Sequence, residues 1–234
     1  MKLKAVTPLE MKEIDGWAIQ GLGIPSIVLM EHAGFECAKL IVKKVKGLKS
    51  KRILIICGKG GNGGDGMVVG RGISPSTGSG RRGQVLGIRV ALLGKGNELK
   101  SDTEINFRII GNLGIPFMQI YEQDKVMPLI EEIKKADVIV DAIFGFGFRG
   151  EVGGIEKQVI DAINNDKKKK ALVFSIDVPS GLNAGTGDVG GAAVKADTTI
   201  TLHLPKTGLL KKTAKKFVGK LFTVDIGIPY RSVG

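Results

Sequence analysis

Aromatic side chains are scarce in this chain, at 5% of 234 residues. Single-stranded nucleic acid needs rings on which bases can stack, so a formal charge of +12 is read as a solvated basic surface, with no nucleic-acid partner expected. Much of that charge lies in two lysine runs, at 167–170 and at Lys211, Lys212, Lys215 and Lys216. The field still favours an anionic small molecule. There are only two cysteines, Cys37 and Cys57, with no metal-ligand spacing around them and no basis for a disulfide framework. Both fall in apolar patterns expected to bury free thiols. The only histidines, His32 and His203, have no partner at zinc or triad spacing. The chain has no G-x-x-x-x-G-K-[S/T] for a nucleoside triphosphate and no G-x-S-x-G elbow for acyl transfer. Residues 1–8 lack a signal peptide's apolar segment. The longest uncharged stretch near them, 16–30, is too short and too interrupted by glycine to cross a bilayer. A cytoplasmic protein without a membrane partner is expected.

What is present is glycine and apolar runs. Glycine numbers 35, about twice the usual share of roughly 7%, and the excess follows apolar segments. Hydrophobic residues reach 43%, enough for a sizeable core in one domain spanning residues 1–234. Thr7 can cap a helix beginning at Pro8 and carrying Met11, Ile14 and Ala18. Ser26 can cap a second helix through Val45, whose Leu29, Ala33, Cys37 and Leu40 trace one face. Strand-like runs follow at 52–57, 88–93, 116–120, 138–140, 172–176, 198–202 and 221–224. Most are separated by helical patterns at 65–71, 103–113, 125–135 and 155–164. This alternation predicts a mostly parallel sheet covered on both faces, with ligands at the carboxyl ends of its strands. Residues 74–87 lack periodicity and read as a flexible excursion.

Three loops after strands could carry chemistry. The first, Gly58-Lys-Gly-Gly-Asn-Gly-Gly-Asp-Gly66, follows an apolar strand and runs into a helix. Glycines there let backbone N–H groups approach a phosphate-bearing ligand. Its match to G-x-G-x-x-G is weak alone, and the second strand ends Ala91-Leu-Leu-Gly-Lys-Gly96 without a carboxylate for ribose hydroxyls, which disfavours ordinary hydride-transfer binding. The second, Val140-Asp-Ala-Ile-Phe-Gly-Phe-Gly-Phe-Arg-Gly150, puts Asp141 at a strand end, either entering the same crevice or capping its own turn. Arg149 there could meet a phosphate in bidentate fashion. In the third, Ser175-Ile-Asp-Val-Pro-Ser-Gly-Leu-Asn183, Asp177 leaves a buried strand and suits either a general acid–base or a turn. Asn62, Asp141 and Ser180 together offer oxygen ligands with a single carboxylate, which fits a monovalent cation better than a divalent one.

Taken in order, these loops resemble the YjeF N-terminal domain family of NAD(P)H-hydrate epimerases. Leu29-Met-Glu-His-Ala-Gly34, Ala196-Asp-Thr-Thr-Ile-Thr201 and Pro205-Lys-Thr-Gly208 add to the likeness. The resemblance implies a Rossmann-like three-layer α/β/α sandwich with a mostly parallel central sheet and two N-terminal helices, commonly a homodimer. It implies interconversion of the R and S forms of NADH and NADPH hydrated at C6 of the nicotinamide ring. By the same resemblance Asn62, Asp141 and Ser180 hold a potassium ion. The hydrate lies on Gly61, Asn62, Gly63, Gly64, Asp65, Gly145, Phe146, Gly147, Phe148, Arg149, Gly150, Glu151 and Asp177, with Asp177 as the catalytic acid–base. Gly61 stands where the family usually has a second Asn, and His32 where an Asn is frequent. Bifunctional relatives carry a further dehydratase domain, so dehydration is expected from a separate protein. The rival expectation is a non-catalytic nucleotide-binding or interaction module of the same family.

Overall fold

The structure, a computed structural model, describes residues 4–74, 87–165 and 171–229. The 167–170 lysine run and nearly all of the 74–87 excursion lie outside the described residues. Seven strands form one sheet: β1 (Ile53–Cys57), β2 (Ile88–Leu93), β3 (Phe117–Ile120), β4 (Val138–Ala142), β5 (Leu172–Ile176), β6 (Thr198–Leu202) and β7 (Lys220–Val224). Their spatial order is β3-β2-β1-β4-β5-β6-β7, and every pair is parallel. Because β1 and β4 are buried at every position, they read as continuous apolar runs rather than alternating ones, broken only by Asp141 near the end of β4.

Seven α-helices accompany the sheet among the described residues: α1 (Pro8–Gly16), α2 (Ser26–Lys44), α3 (Gly61–Ile73), α4 (Ser101–Asn112), α5 (Val126–Lys135), α6 (Gly154–Asn165) and the short α7 (Lys215–Val218). Met11, Leu29, Met67 and Ile110, from α1 to α4, share a core with Ile55, Val90 and Val140 on one face of the sheet. Leu129, Ile133, Val159 and Ile163, from α5 and α6, cover Leu54, Ile56, Ala91 and Ile139 on the other. The architecture is therefore the Rossmann-like three-layer sandwich expected, with its sheet parallel throughout.

The two covers set where loops part. The chain runs outward from β1 through β2 to β3, then returns to β4 beside β1 and runs the other way. Loops after β1 and β4 thus leave in opposite directions, opening a crevice at their carboxyl ends.

Local chemistry explains the helix starts. Thr7 caps α1 as expected, within a capping box in which Glu10 returns a bond to the Thr7 N–H. A π turn over Trp17–Gly21 prolongs that helix. Ser26 differs from expectation: Pro25 occupies the cap position, Ser26 is already helical, and no side chain caps α2. The α3 helix starts at Gly61, four residues earlier than the apolar pattern indicates. No described helix is long and apolar enough to cross a membrane.

Candidate active site

The turn after β1 is compact because two backbones touch in it. A Cβ on Gly58 would lie 2.1 Å from the Ile143 carbonyl, and one on Gly63 would lie 1.9 Å from the Gly58 carbonyl. Only glycine permits this approach of the β1 turn to the β4 loop. The result aims the first turn of α3 into the crevice. Asn62 stands in that turn, 9% exposed, with neither its amide nitrogen nor its amide oxygen hydrogen-bonded. Burying an unpaired amide is costly, so Asn62 is a group awaiting a partner.

The loop after β4 brings Gly145 against Asn62 and Asp177. A Cβ there would sit 3.3 Å from the Asn62 Cβ and 3.0 Å from Asp177 Oδ2. Asp177 leaves β5 with φ of +64°, a conformation that costs a non-glycine residue energy and is held by its surroundings. Its N–H donates to the Ile200 carbonyl at 2.7 Å. One carboxylate oxygen accepts from the Phe146 N–H at 2.7 Å. The other accepts from Lys206 Nζ at 2.6 Å. Lys206 is 1% exposed and donates also to the Leu202 carbonyl and the Thr201 hydroxyl. Its ammonium lies 5.4 Å from the Phe146 ring centre. This is a buried ion pair with its remaining protons satisfied.

Beneath the β4 loop, Asp141 is fully buried. It accepts from the Ser175 hydroxyl at 2.7 Å, the Ser180 hydroxyl at 2.5 Å, the Ser180 N–H at 2.9 Å and the Ile143 N–H at 3.3 Å. Burial pushes its carboxyl up, against the pull of those donors. Every one of the four donors is neutral. Ser180 in turn accepts from the Phe144 N–H at 2.8 Å. These oxygens, with the unpaired oxygen of Asn62, are hard donors that suit a weakly hydrated monovalent cation. Among the described residues no cluster of three His, Cys, Asp or Glu side chains could hold a metal.

The crevice encloses a cavity of about 530 Å³. Asp15, Asp65 and Asp177 all face it, with Leu29, Met30 and Ala33 of α2 and Phe144, Phe146 and Phe148 as apolar walls. Burial drives the Asp65 carboxyl well above its ordinary range, and the neighbouring Asp177 and Asp15 push the same way. Asp15 is raised to about 6, again chiefly by burial, with Lys206 opposing and Asp177 adding. Cys37 and Cys57 are buried and free, and burial raises both thiols.

Of the expected ligand-binding residues, Gly61, Asn62, Asp65, Gly145, Phe146, Gly147, Phe148 and Asp177 line this cavity. Arg149 and Gly150 line a neighbouring hollow of about 280 Å³ that shares Phe148. One guanidinium nitrogen of Arg149 donates to the Phe146 and Phe148 carbonyls, bracing the loop. Gly63, Gly64 and Glu151 line neither. Asp141 and Ser180 bond to each other behind the cavity wall, while Asn62 faces into it.

Two charged residues escaped the sequence reading. Asp15 follows Met11 by four positions and precedes Ala18 by three, which puts it on the buried face of α1; that spacing was the available signal. Lys206 lies between apolar Leu204 and Leu209, but nothing local says that it pairs with a residue 29 positions earlier.

Residues 26–208 match the family described as YjeF-related protein N-terminus. A protein of Lentilactobacillus buchneri, "NAD(P)H-hydrate epimerase", is 38% identical over 96% of this chain and 95% of its own length. One of Oenococcus oeni with the same description is 32% identical over 95% and 96%. The "Bifunctional NAD(P)H-hydrate repair enzyme Nnr" of Moorella thermoacetica is 37% identical over 97% of this chain, which spans only 41% of that relative. The crystal structure of yeast ynu0 superposes with a TM-score of 0.73 at 23% identity, covering 95% of this chain and 88% of the yeast one. It shares the fold.

Proposed function

The chain belongs to the family of YjeF-related protein N-termini, and on that premise we propose that it is an NAD(P)H-hydrate epimerase, an isomerase of nicotinamide-cofactor repair. The observation that carries this reading is the convergence of Asn62 and Asp65 from α3, Phe146 from the β4 loop and Asp177 from the end of β5 on one cavity at the β1/β4 switch point. The substrate is NADH or NADPH hydrated at C6. Its nicotinamide ring enters between the phenylalanines and the α2 wall, and the backbone N–H groups at the start of α3 favour its phosphates. Gly61 to Asp65, Gly145 to Glu151 and Asp177 form the binding surface. The paired and preoriented Asp177 is the acid–base group next to the reacting carbon.

A potassium ion belongs to the proposal. Asn62, Asp141 and Ser180 would hold it. It would supply the positive charge that the buried Asp141 lacks and fix the β4 and β5 loops electrostatically. A homodimer is also part of this reading, supported by the exposed stripe of Val28, Phe35 and Val42 along α2. So are a cytoplasmic setting, supported by two free thiols, and a separate dehydratase drawing on the same hydrate pool. The chain covers 41% of the bifunctional relative's length.

The test uses separated R and S hydrates. Purified protein should equilibrate them faster than they equilibrate spontaneously, and Asp177→Asn should lose most of that acceleration, about 10²-fold or more, while keeping its circular dichroism. A wild-type rate equal to the spontaneous one would favour the non-catalytic interaction module.

A further inference from the structure

When C6 inverts by dehydration and rehydration, a hydroxyl leaves one face of the ring and water arrives on the other. Asp177 alone cannot serve both faces, because its carboxylate is fixed at one wall by Phe146 N–H on one oxygen and Lys206 on the other. A second proton-carrying group must reach the ring from elsewhere. Four further carboxyls line the cavity, Asp65, Asp15, Asp102 and Glu156, and of these Asp65 and Asp15 lie close enough to Asp177 to feel its charge.

We propose that Asp15 is the second catalytic acid–base of this site, working across the nicotinamide ring from Asp177. This rests on the epimerase reading above. Asp177 rises from the carboxyl end of the sheet, whereas Asp15 reaches the cavity from α1, a different wall. That helix is tied to the site by backbone bonds on both sides of Lys206: Val6 N–H donates to the Pro205 carbonyl and Thr207 N–H to the Val6 carbonyl, each at 2.9 Å. A π turn begins directly after α1 and carries Ile19 into the same cavity wall; such turns re-aim helical side chains and recur at functional sites.

Asp65 fits the role less well. It is buried, 8% exposed, on the first turns of α3 beside Asn62, and burial pushes its carboxyl up, so it has less access to solvent for exchanging a proton. Asp15 is half-buried, in reach of solvent, and raised only to about 6, so it can take and give a proton at each turnover. The charged groups that act on it are Asp65, Asp177 and Lys206, and Lys59, Asp102 and Glu156 also line the cavity.

The step balances. Asp15 gives its proton to the C6 hydroxyl, the C–O bond breaks, and water leaves as the ring-nitrogen lone pair forms a C6=N bond. Another water adds to the opposite face, the electron pair returns to nitrogen, and the proton released goes to Asp177, from which exchange through water in the cavity returns it to Asp15 for the next turnover. No oxidant or reductant takes part. The reverse reaction exchanges the two roles, so both directions need the one proton shared by the pair. In both directions kcat/KM should fall as pH rises through about 6.

Asp15→Asn tests this, with hydrate epimerisation followed in both directions from pH 5 to 8. The expected result is a fall in kcat of about 10²-fold or more, with KM within threefold of wild type and the fall near pH 6 gone. Formate should restore turnover to Asp15→Ala in a concentration-dependent way. An Asp15→Asn kcat within threefold of wild type, a loss carried by KM, an Asp15→Ala variant that formate does not rescue, or a wild-type profile without that fall would each overturn the assignment. A wild type no faster than the spontaneous reaction would instead remove the epimerase reading itself.

Discussion

Lys206 and Asp177 show how much one buried pair can constrain. Removing the ammonium leaves an uncompensated carboxylate at 3% exposure, and breaking such a pair from one side costs about 3–5 kcal/mol. Lys206→Met should therefore lower the unfolding free energy measured in urea at neutral pH by about 3–5 kcal/mol, and adding Asp177→Asn should recover part of the loss. If the double variant is as unstable as the sum of the singles, the pair is not coupled as the 2.6 Å contact indicates. Asp15 gives a prediction of opposite sign. Its folded-state pKa is raised from 3.8 to about 6, so the folded chain binds this proton more tightly than the unfolded chain. Stability from this group is full below about 3.8 and is lost as pH rises through 6. Asp15→Asn removes the penalty, and its unfolding free energy should exceed that of wild type at pH 7.5 by about 1–2 kcal/mol after allowing for partial exposure. The gap should close as pH falls toward 4; a gap independent of pH would show that burial is not the cause. A residue that gains stability when neutralised yet is required for turnover is what a functional carboxyl looks like.

At the scale of the element, strands and helices were legible wherever burial alone decides them. The apolar run ending at Cys57 could only be a covered strand, and the Met11–Ile14–Ala18 spacing could only be a helix. The start of α3 was not legible, because four of its first six residues are glycine and glycine reads as loop. What makes them helical is a tertiary contact: the turn must pass 1.9 Å from where a Gly63 Cβ would stand. The site followed the same division. Asn62, Asp141, Asp177 and Ser180 stood out as polar groups just beyond apolar strands, while Asp15 and Lys206 acquire meaning only once α1 is laid against the 205–207 segment. Glycines in one turn should accordingly differ in tolerance. Gly63→Ala should cost more than about 3 kcal/mol or prevent folding, as an overpacked backbone contact must. A Cβ at Gly61 meets nothing within 4 Å, so Gly61→Asn should keep the melting temperature within a degree or two. Equal losses at the two positions, measured by thermal denaturation, would contradict this reading of the turn.

Across the whole molecule, the decisive feature is that the sheet reverses its direction of growth between β1 and β4. Asp141 is fully buried under that switch point with four neutral donors around it, its carboxyl raised by burial. Because that carboxyl is charged only at a cost, a bound cation would return the most free energy here and would couple the β1, β4 and β5 loops together. Potassium in place of lithium, at equal ionic strength, should raise the melting temperature of the wild type, since a ligand that binds only the folded chain stabilises it by mass action. Asp141→Asn is expected to lower the melting temperature in any buffer, because its amide NH₂ meets N–H donors it cannot accept from. The informative quantity is the potassium-minus-lithium difference, which should vanish in this variant and persist in Asp177→Asn. A difference that survives Asp141→Asn would move the cation away from the switch point.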